Sequence, residues 1–354
     1  MNTTSPDKEI LRIKMIHYIE TKTDIYRKYN LHLTDLMTYE TDKSLDVILS
    51  KLTVSYGLPI KVMKYINSLI HISTNLLKEY PIKKIVIKKK LMNRKSANRK
   101  LPKMYVLTYY NYDIHVSLTT YNRLQGLIIN NSYKKHYTFD TLVWMLYYRY
   151  YEMNLYNNSQ GAVHPSHYKK LATKYNTEIE GFGSFFNHTL KYYYGLFPDL
   201  EKYFGCLGNF FQSSLLKNLY VINPPYTTSQ INLTINHIIS EFNKHSHDIN
   251  IILILPAWLD TDRHLLNKIC KNKIKLKSYS KELQISKLYE HNIVSQYLLY
   301  CGDDFKYYDY IKENDVYFTP TNVILLSNNK RKGGNKLNID LESIFGKASK
   351  KITL

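Results

Sequence analysis

Apolar positions recur along this chain with two periods. Ile10, Ile13, Ile16 and Ile19 fall at helical spacing, and so do Leu45, Ile48, Leu49 and Leu52. After a break at Leu58-Pro59 the helical spacing resumes from Ile60 to Leu77, so residues 7 to about 80 read as a helical support layer. From 104 to 118 apolar and polar residues alternate, with Asn111-Tyr112 between two runs, which predicts a β-hairpin. Helices are predicted over 121–129 and 139–156. The second carries Trp144, Tyr147, Tyr148, Tyr150 and Tyr151, and in a Tyr-rich chain it reads as a core helix rather than a stacking platform.

The pattern changes again after Gly161. Short apolar runs at 219–222, 251–255 and 322–326 alternate with helical stretches at 167–174 and 229–244. Strands of this kind, with no polar alternation, are buried on both faces. Alternating with helices they predict an α/β, Rossmann-like sheet with functional loops at the strand C-termini. The loops after Ile179, Ile222 and Leu255 would share one crevice. Three regions follow: 1–160, mostly helical and basic; 161–328, the sheet domain; and 329–354, a basic flexible tail with a short apolar stretch at 341–345.

Composition narrows the partner. A net charge of +20 and a pI near 9.5 favour a polyanion. A membrane is disfavoured, because no long uncharged apolar stretch and no signal peptide is visible. Residues 82–103 hold no acid, and Lys88, Lys89, Lys90, Arg94 and Lys95 within them are candidate phosphate contacts; a solvated face or a targeting signal is the bland alternative. The three cysteines are far apart, so neither a disulfide framework nor a zinc site is expected, and an intracellular, reducing place follows. His164 and His167 lack the cysteines or carboxylates that would complete a metal site. Abundant Lys, Asn, Ile and Tyr match AT-rich codons, as in a large DNA virus or an AT-rich parasite.

The chemistry concentrates at Asn223-Pro224-Pro225-Tyr226, directly after the apolar run Leu219–Ile222. Two prolines remove two N–H donors, so the ladder stops and nearby carbonyls can stay free. An exocyclic adenine amine is a poor nucleophile, because its lone pair is delocalised into the ring. Two acceptors aimed at its hydrogens, the Asn223 side-chain oxygen and the Pro224 carbonyl, would favour a pyramidal nitrogen and localise that pair. Tyr226 could stack on the base. The methyl would come from an already activated sulfonium, and in-line positioning does the rest. The same tetrapeptide also resembles the motif of glutamine-N5 methyltransferases, and in isolation it is equally an ordinary turn. The Glu180-Gly-Phe-Gly stretch is a poor imitation of the Gly-rich loop those enzymes carry.

Five blocks in order decide between these. Phe182-Gly-Ser-Phe-Phe-Asn187, Phe197-Pro-Asp199 with Tyr203-Phe-Gly-Cys-Leu-Gly208, Asn223-Pro-Pro-Tyr226, Leu255-Pro-Ala-Trp258 and, more loosely, Thr321-Asn-Val323 are similar to successive motifs of the phosphorylated-CTD-interacting factor family. The resemblance covers about half of the chain. It implies a Rossmann-like, S-adenosylmethionine-dependent methyltransferase that modifies N6 of the cap-adjacent (2'-O-methyl)adenosine of mRNA. It implies that Asn223, Pro224, Pro225 and Tyr226 are catalytic. Phe182, Gly183, Ser184, Asn187, Phe204, Gly205 and Gly208 would bind the cofactor. Trp258 is a candidate second aromatic wall against the RNA, with a place in the core as the equal alternative. The expected partner is capped RNA, in the cytoplasm (a virus factory or virion if viral) or the nucleus. An adenine-N6 DNA methyltransferase and a non-catalytic RNA- or cap-binding subunit remain as alternatives.

Three departures accompany the resemblance. Trp144 and Trp258 are too far apart to build a WW module, so no WW-type tether to a phosphorylated polymerase tail is expected. Thr227-Thr-Ser-Gln230 stands where the family has an acid, and Phe185 stands where it has a proline. The family's turn ends in Phe, so the ring of Tyr226, not its hydroxyl, is expected to work.

Overall fold

The computed structural model describes residues 5–7, 9, 10, 13, 14, 87–92, 95, 96, 99, 100, 103–152, 155, 156, 160–257, 284–317, 320–331 and 339–353. The protein is mixed α/β, and its chain forms two compact units, Met1–Ser159 with Leu196–Gly205 and Gln160–Gly195 with Cys206–Leu354. Most of the helical layer expected over 7–80 lies outside the described residues.

In the first unit the basic run contributes β1 (Lys88–Met92) and a small antiparallel pair, β2 (Lys95–Ser96) and β3 (Arg99–Lys100). The expected hairpin is β4 (Met104–Tyr109) and β5 (Tyr112–Ser117). Its turn falls at Tyr110-Asn111, one residue earlier than the sequence reading, with Tyr110 at φ 51°. β1 joins as the edge strand of a three-stranded antiparallel sheet, a strand its lysines conceal from hydropathy. Helix α1 (Leu118–Leu127) starts where the Ser117 hydroxyl accepts from the Thr120 N–H. Helix α2 (Phe139–Glu152) is core: Thr141 to Tyr150 are all buried, and Trp144 stacks on Tyr148 with ring centroids 4.8 Å apart. Arg149 in that helix is buried between Glu9 and Asp199, with nitrogen–oxygen distances of 2.7 and 2.8 Å.

The second unit holds β6 (Gly161–Val163), α3 (Pro165–Tyr175), β7 (Ile179–Glu180), β8 (Tyr192–Tyr193), β9 (Leu219–Ile222), α4 (Thr228–Lys244) and β10 (Asn250–Pro256). Then come α5 (Ser286–Glu290), β11 (Val294–Tyr300), β12 (Tyr307–Asp309), β13 (Asn314–Val316), β14 (Thr321–Ser327), α6 (Leu341–Phe345) and β15 (Lys350–Thr353). Seven strands form the main sheet in the order β15-β11-β14-β10-β9-β7-β8, and β13-β12-β6 form a small one. β8, β7, β9 and β10 are mutually parallel; β14 runs antiparallel between β10 and β11.

Both faces of this sheet are covered, which is why its strands carry no polar alternation. Tyr220 and Ile222 of β9 pack with Ile231, Ile235 and Phe242 of α4. Leu219 and Val221 point the other way, toward Leu171 of α3 and Ile344 of α6. Two expectations need correction. Residues 339–353 are not a loose tail: Leu341, Ile344 and Phe345 are buried, and β15 pairs with β11. Cys206 is buried and in no disulfide, but Cys301 is disulfide-bonded, because separation along a chain does not set separation in space.

Candidate active site

The strand ends come first. β7, β9 and β10 are parallel neighbours, so the loops after them leave from one edge of the sheet. β9 stops at Ile222 because the next residues include two prolines that cannot donate. Pro224 is buried and Pro225 exposed; the Thr227 N–H then closes the turn on the Pro225 carbonyl at 2.8 Å. The Thr227 hydroxyl caps α4 by accepting from the Gln230 N–H. Among the described residues nothing donates to the Pro224 carbonyl.

Asn223 is half-buried, and its side chain is not idle. The Tyr226 hydroxyl donates to Asn223 Oδ1 at 2.9 Å and lies 2.7 Å from the Tyr307 hydroxyl. The Tyr307 hydroxyl is in turn 2.7 Å from Thr321 Oγ1. Burial pushes the Tyr307 phenol up to about 12, even though its bonds to Thr321 and Tyr226 pull the other way. Loss of water, then the neighbouring Tyr307, hold the Tyr226 phenol well above its ordinary value. Both phenols therefore keep their protons at neutral pH. The Tyr226 ring meets the Tyr307 ring edge-on, centroids 6.3 Å apart. The hydroxyl that the sequence reading leaves without a task is thus bonded to the proposed acceptor. Nothing in Lys306-Tyr-Tyr-Asp309 singles out Tyr307 in a chain with 35 tyrosines, and Thr321 stands only at the start of the loosest of the five blocks, with no role attached to it.

The glycine loop after β7 has a packing explanation. A β-carbon on Gly181 would lie 2.7 Å from Ile222 Cγ1, and one on Gly183 would lie 3.1 Å from the Tyr193 side chain. The close approach these glycines permit is first to the protein's own strands. Ser184 and Asn187 bind one another: Asn187 Oδ1 accepts from the Ser184 N–H at 2.8 Å, while the Ser184 hydroxyl accepts from the Asn187 N–H and donates to Gln160. Their polar atoms shape the loop. Buried Glu180 ties down its far end, accepting from the N–H groups of Thr189 (2.5 Å) and Leu190 (2.6 Å). Phe182 is half-buried, with its ring 4.9 Å from that of Phe210.

The remaining candidates divide. Gly208 sits at φ 121° with open space where a side chain would be, and its carbonyl accepts from the Gly195 N–H. Phe204 and Gly205 belong to the first unit, where Phe204 is buried and Gly205, at φ 98°, closes a 3-10 turn. Arg94 and Trp258 lie outside the described residues, and Lys95 is in β2. On β1, Lys89 is exposed but its ammonium is engaged: it donates to the Tyr121 hydroxyl at 2.7 Å, lies over the rings of Tyr105 and Tyr121, and is 3.5 Å from Asp140. Lys88 and Lys90 are exposed and, by strand alternation, project from the opposite face. Among the described residues no group of His, Cys, Asp and Glu could hold a metal, and no helix is long and apolar enough to cross a membrane.

These observations define a mixed α/β protein with a proline-rich, aromatic turn at the carboxyl ends of parallel strands. Its Asn side chain is held by a chain of buried hydroxyls. A family model described as the phosphorylated CTD interacting factor 1 WW domain matches residues 119–295, half of the chain, and the chain belongs to that family. The matched span runs from α1 through the parallel strands to the second residue of β11.

Proposed function

We propose that this protein is an S-adenosylmethionine-dependent methyltransferase acting on N6 of adenosine in RNA, with the cap-adjacent adenosine of mRNA as its substrate. The observation that carries the reading is the Asn223-Pro-Pro-Tyr226 turn at the carboxyl end of β9, with the Asn223 amide held and the Pro224 carbonyl available. Ligands of open parallel sheets bind outside the carboxyl ends of the strands, so a Rossmann-like arrangement fits the strand order. Membership of the family supports the same class of reaction.

The residues present fit the cofactor. An adenosyl group needs an apolar or aromatic wall and close backbone; Phe182 supplies a ring, and Gly183 and Gly208 supply backbone with room beside the latter. Ser184, Asn187 and Glu180 would hold the loop in shape. Bound there, the cofactor supplies a methyl group on a sulfonium, which needs no further activation. Asn223 Oδ1 and the Pro224 carbonyl would accept the two hydrogens of the adenine amine and orient its lone pair in line. Tyr226 is assigned to holding Asn223 as well as to lining the pocket. Lys88 and Lys90 would meet RNA phosphates. An intracellular site of action belongs to this reading, although the disulfide at Cys301 removes the cysteines from its support. The absence of a WW-type tether belongs to it too: Trp144 is fully buried, with its indole N–H toward the Tyr112 carbonyl.

The test is transfer of labelled methyl to capped RNA beginning with adenosine, run beside uncapped RNA and duplex DNA. Asn223→Ala should abolish transfer and leave S-adenosylmethionine affinity, measured calorimetrically, within a few-fold, because the lost interaction is made with the amine in the transition state. Near-normal turnover of that variant would make the turn a structural corner. Transfer to duplex DNA alone would favour the DNA enzyme. Capped-RNA binding without cofactor binding would favour a non-catalytic subunit.

A further inference from the structure

Asn223 poses a problem that its own turn cannot solve. A side-chain amide has an oxygen end and an NH2 end of nearly the same shape. Only the oxygen end can accept from an adenine amine; the other end would set donor against donor. A single tyrosine hydroxyl does not choose between them, because it can donate to Oδ1 or accept from Nδ2. A chain of hydroxyls with a defined direction does choose.

We propose that Tyr307 and Thr321 are positioning residues which, through Tyr226, fix the oxygen end of Asn223 for the acceptor amine; this rests on the methyl-transfer reading above. The direction runs from the buried end outward. With the one proton of Tyr226 given to Asn223 Oδ1, Tyr226 is left to accept from Tyr307, on β12, and Tyr307, its own proton so used, to accept from Thr321, fully buried at the first position of β14. The oxygen's second lone pair is left for the substrate. All three hydroxyls are spaced at 2.7–2.9 Å from the next acceptor in the chain. Their elements differ, so the arrangement exists only because the small sheet β13-β12-β6 and the antiparallel strand β14 come together beside the turn. A phenylalanine at 226 would break the chain at its last link.

The experiment removes hydroxyls one at a time. Tyr307→Phe and Thr321→Val should each lower kcat by about fivefold to tenfold, as loss of one oriented hydrogen bond does, with KM for RNA and cofactor within about twofold. Thr321→Ser should restore wild-type kcat. Adding Tyr307→Phe to Tyr226→Phe should cost nothing more, because Tyr307 acts only through Tyr226. In the same variants the Asn223 side-chain amide resonances should shift in 15N–1H spectra. Additive losses, a KM effect in place of a kcat effect, or unmoved Asn223 resonances would overturn the relay. If the wild type methylates no RNA adenosine, the functional reading fails and the resonances alone judge the relay: a shift supports it and no shift overturns it.

Discussion

Gly181 shows why a residue type can be dictated by a neighbour rather than by a ligand. Its missing side chain makes room for Ile222, the last residue before the Asn223 turn. Gly181→Ala should destabilise the protein by about 1–3 kcal/mol, the usual cost of overpacking a filled core, read as a lower Tm. Ile222→Ala in the same chain should make the pair less costly than the two single changes together, since the clash is with that one side chain. Additive costs would mean that position 181 is constrained by something other than Ile222. The same loop contains Ser184 and Asn187, whose polar atoms bind one another. Those bonds give them a part in the shape of the loop beside their proposed contact with the cofactor.

At the scale of elements, α3 and α6 are joined by bonds from His167, Lys170 and Lys174, of which the histidine is half-buried and titratable below neutral pH. His167 Nδ1 lies 2.8 Å from the Ile344 carbonyl, so the neutral ring donates from that nitrogen. Burial pulls the His167 pKa down to about 4; the bond to Ile344 opposes this only in part. The sign follows from the neutral form being preferred in the fold. Stability from this site is complete above the unfolded histidine value of about 6.5. It is lost progressively as pH falls from there toward about 4, where the folded ring protonates. Thermal melts between those limits should show the wild type losing more Tm than His167→Leu, although the variant starts lower through its lost hydrogen bond. Parallel curves would show that His167 does not titrate with unfolding.

For the whole molecule, the proposed partner is a polyanion, and the +20 net charge supports that proposal. The basic run is not uniform, however. Replacing Lys88 and Lys90 together with Ala should reduce the salt slope of RNA binding by about 1–2, at roughly 0.7 per single-strand phosphate contact. Lys89→Ala should leave that slope unchanged and lower Tm, because Lys89 is held by Tyr121 and Asp140. Equal slope changes from all three would make the run a diffuse charged surface.

The sequence by itself determined what depends on neighbours along the chain. β9 coincides with its apolar run, β10, β14, α3 and α4 lie within a residue or two of their expected bounds, and the proline turn stops β9 as expected. The candidate groups of the turn were legible too, because Asn, two prolines and an aromatic ring are adjacent. β1 was not, since an edge strand needs only one partner and can be made of lysine. β15 and the burial of α6 were hidden by a basic C-terminal segment whose few apolar residues find their cover in α3. What only the tertiary structure decided is which groups stand beside the turn. Tyr307 and Thr321 are 81 and 98 residues beyond Tyr226 and Asn223 respectively in the chain, and no local pattern gives either one a role at the turn. Hydrogen bonds of 2.7 Å between them depend on strand order and register, which are set by how the whole sheet buries its two faces.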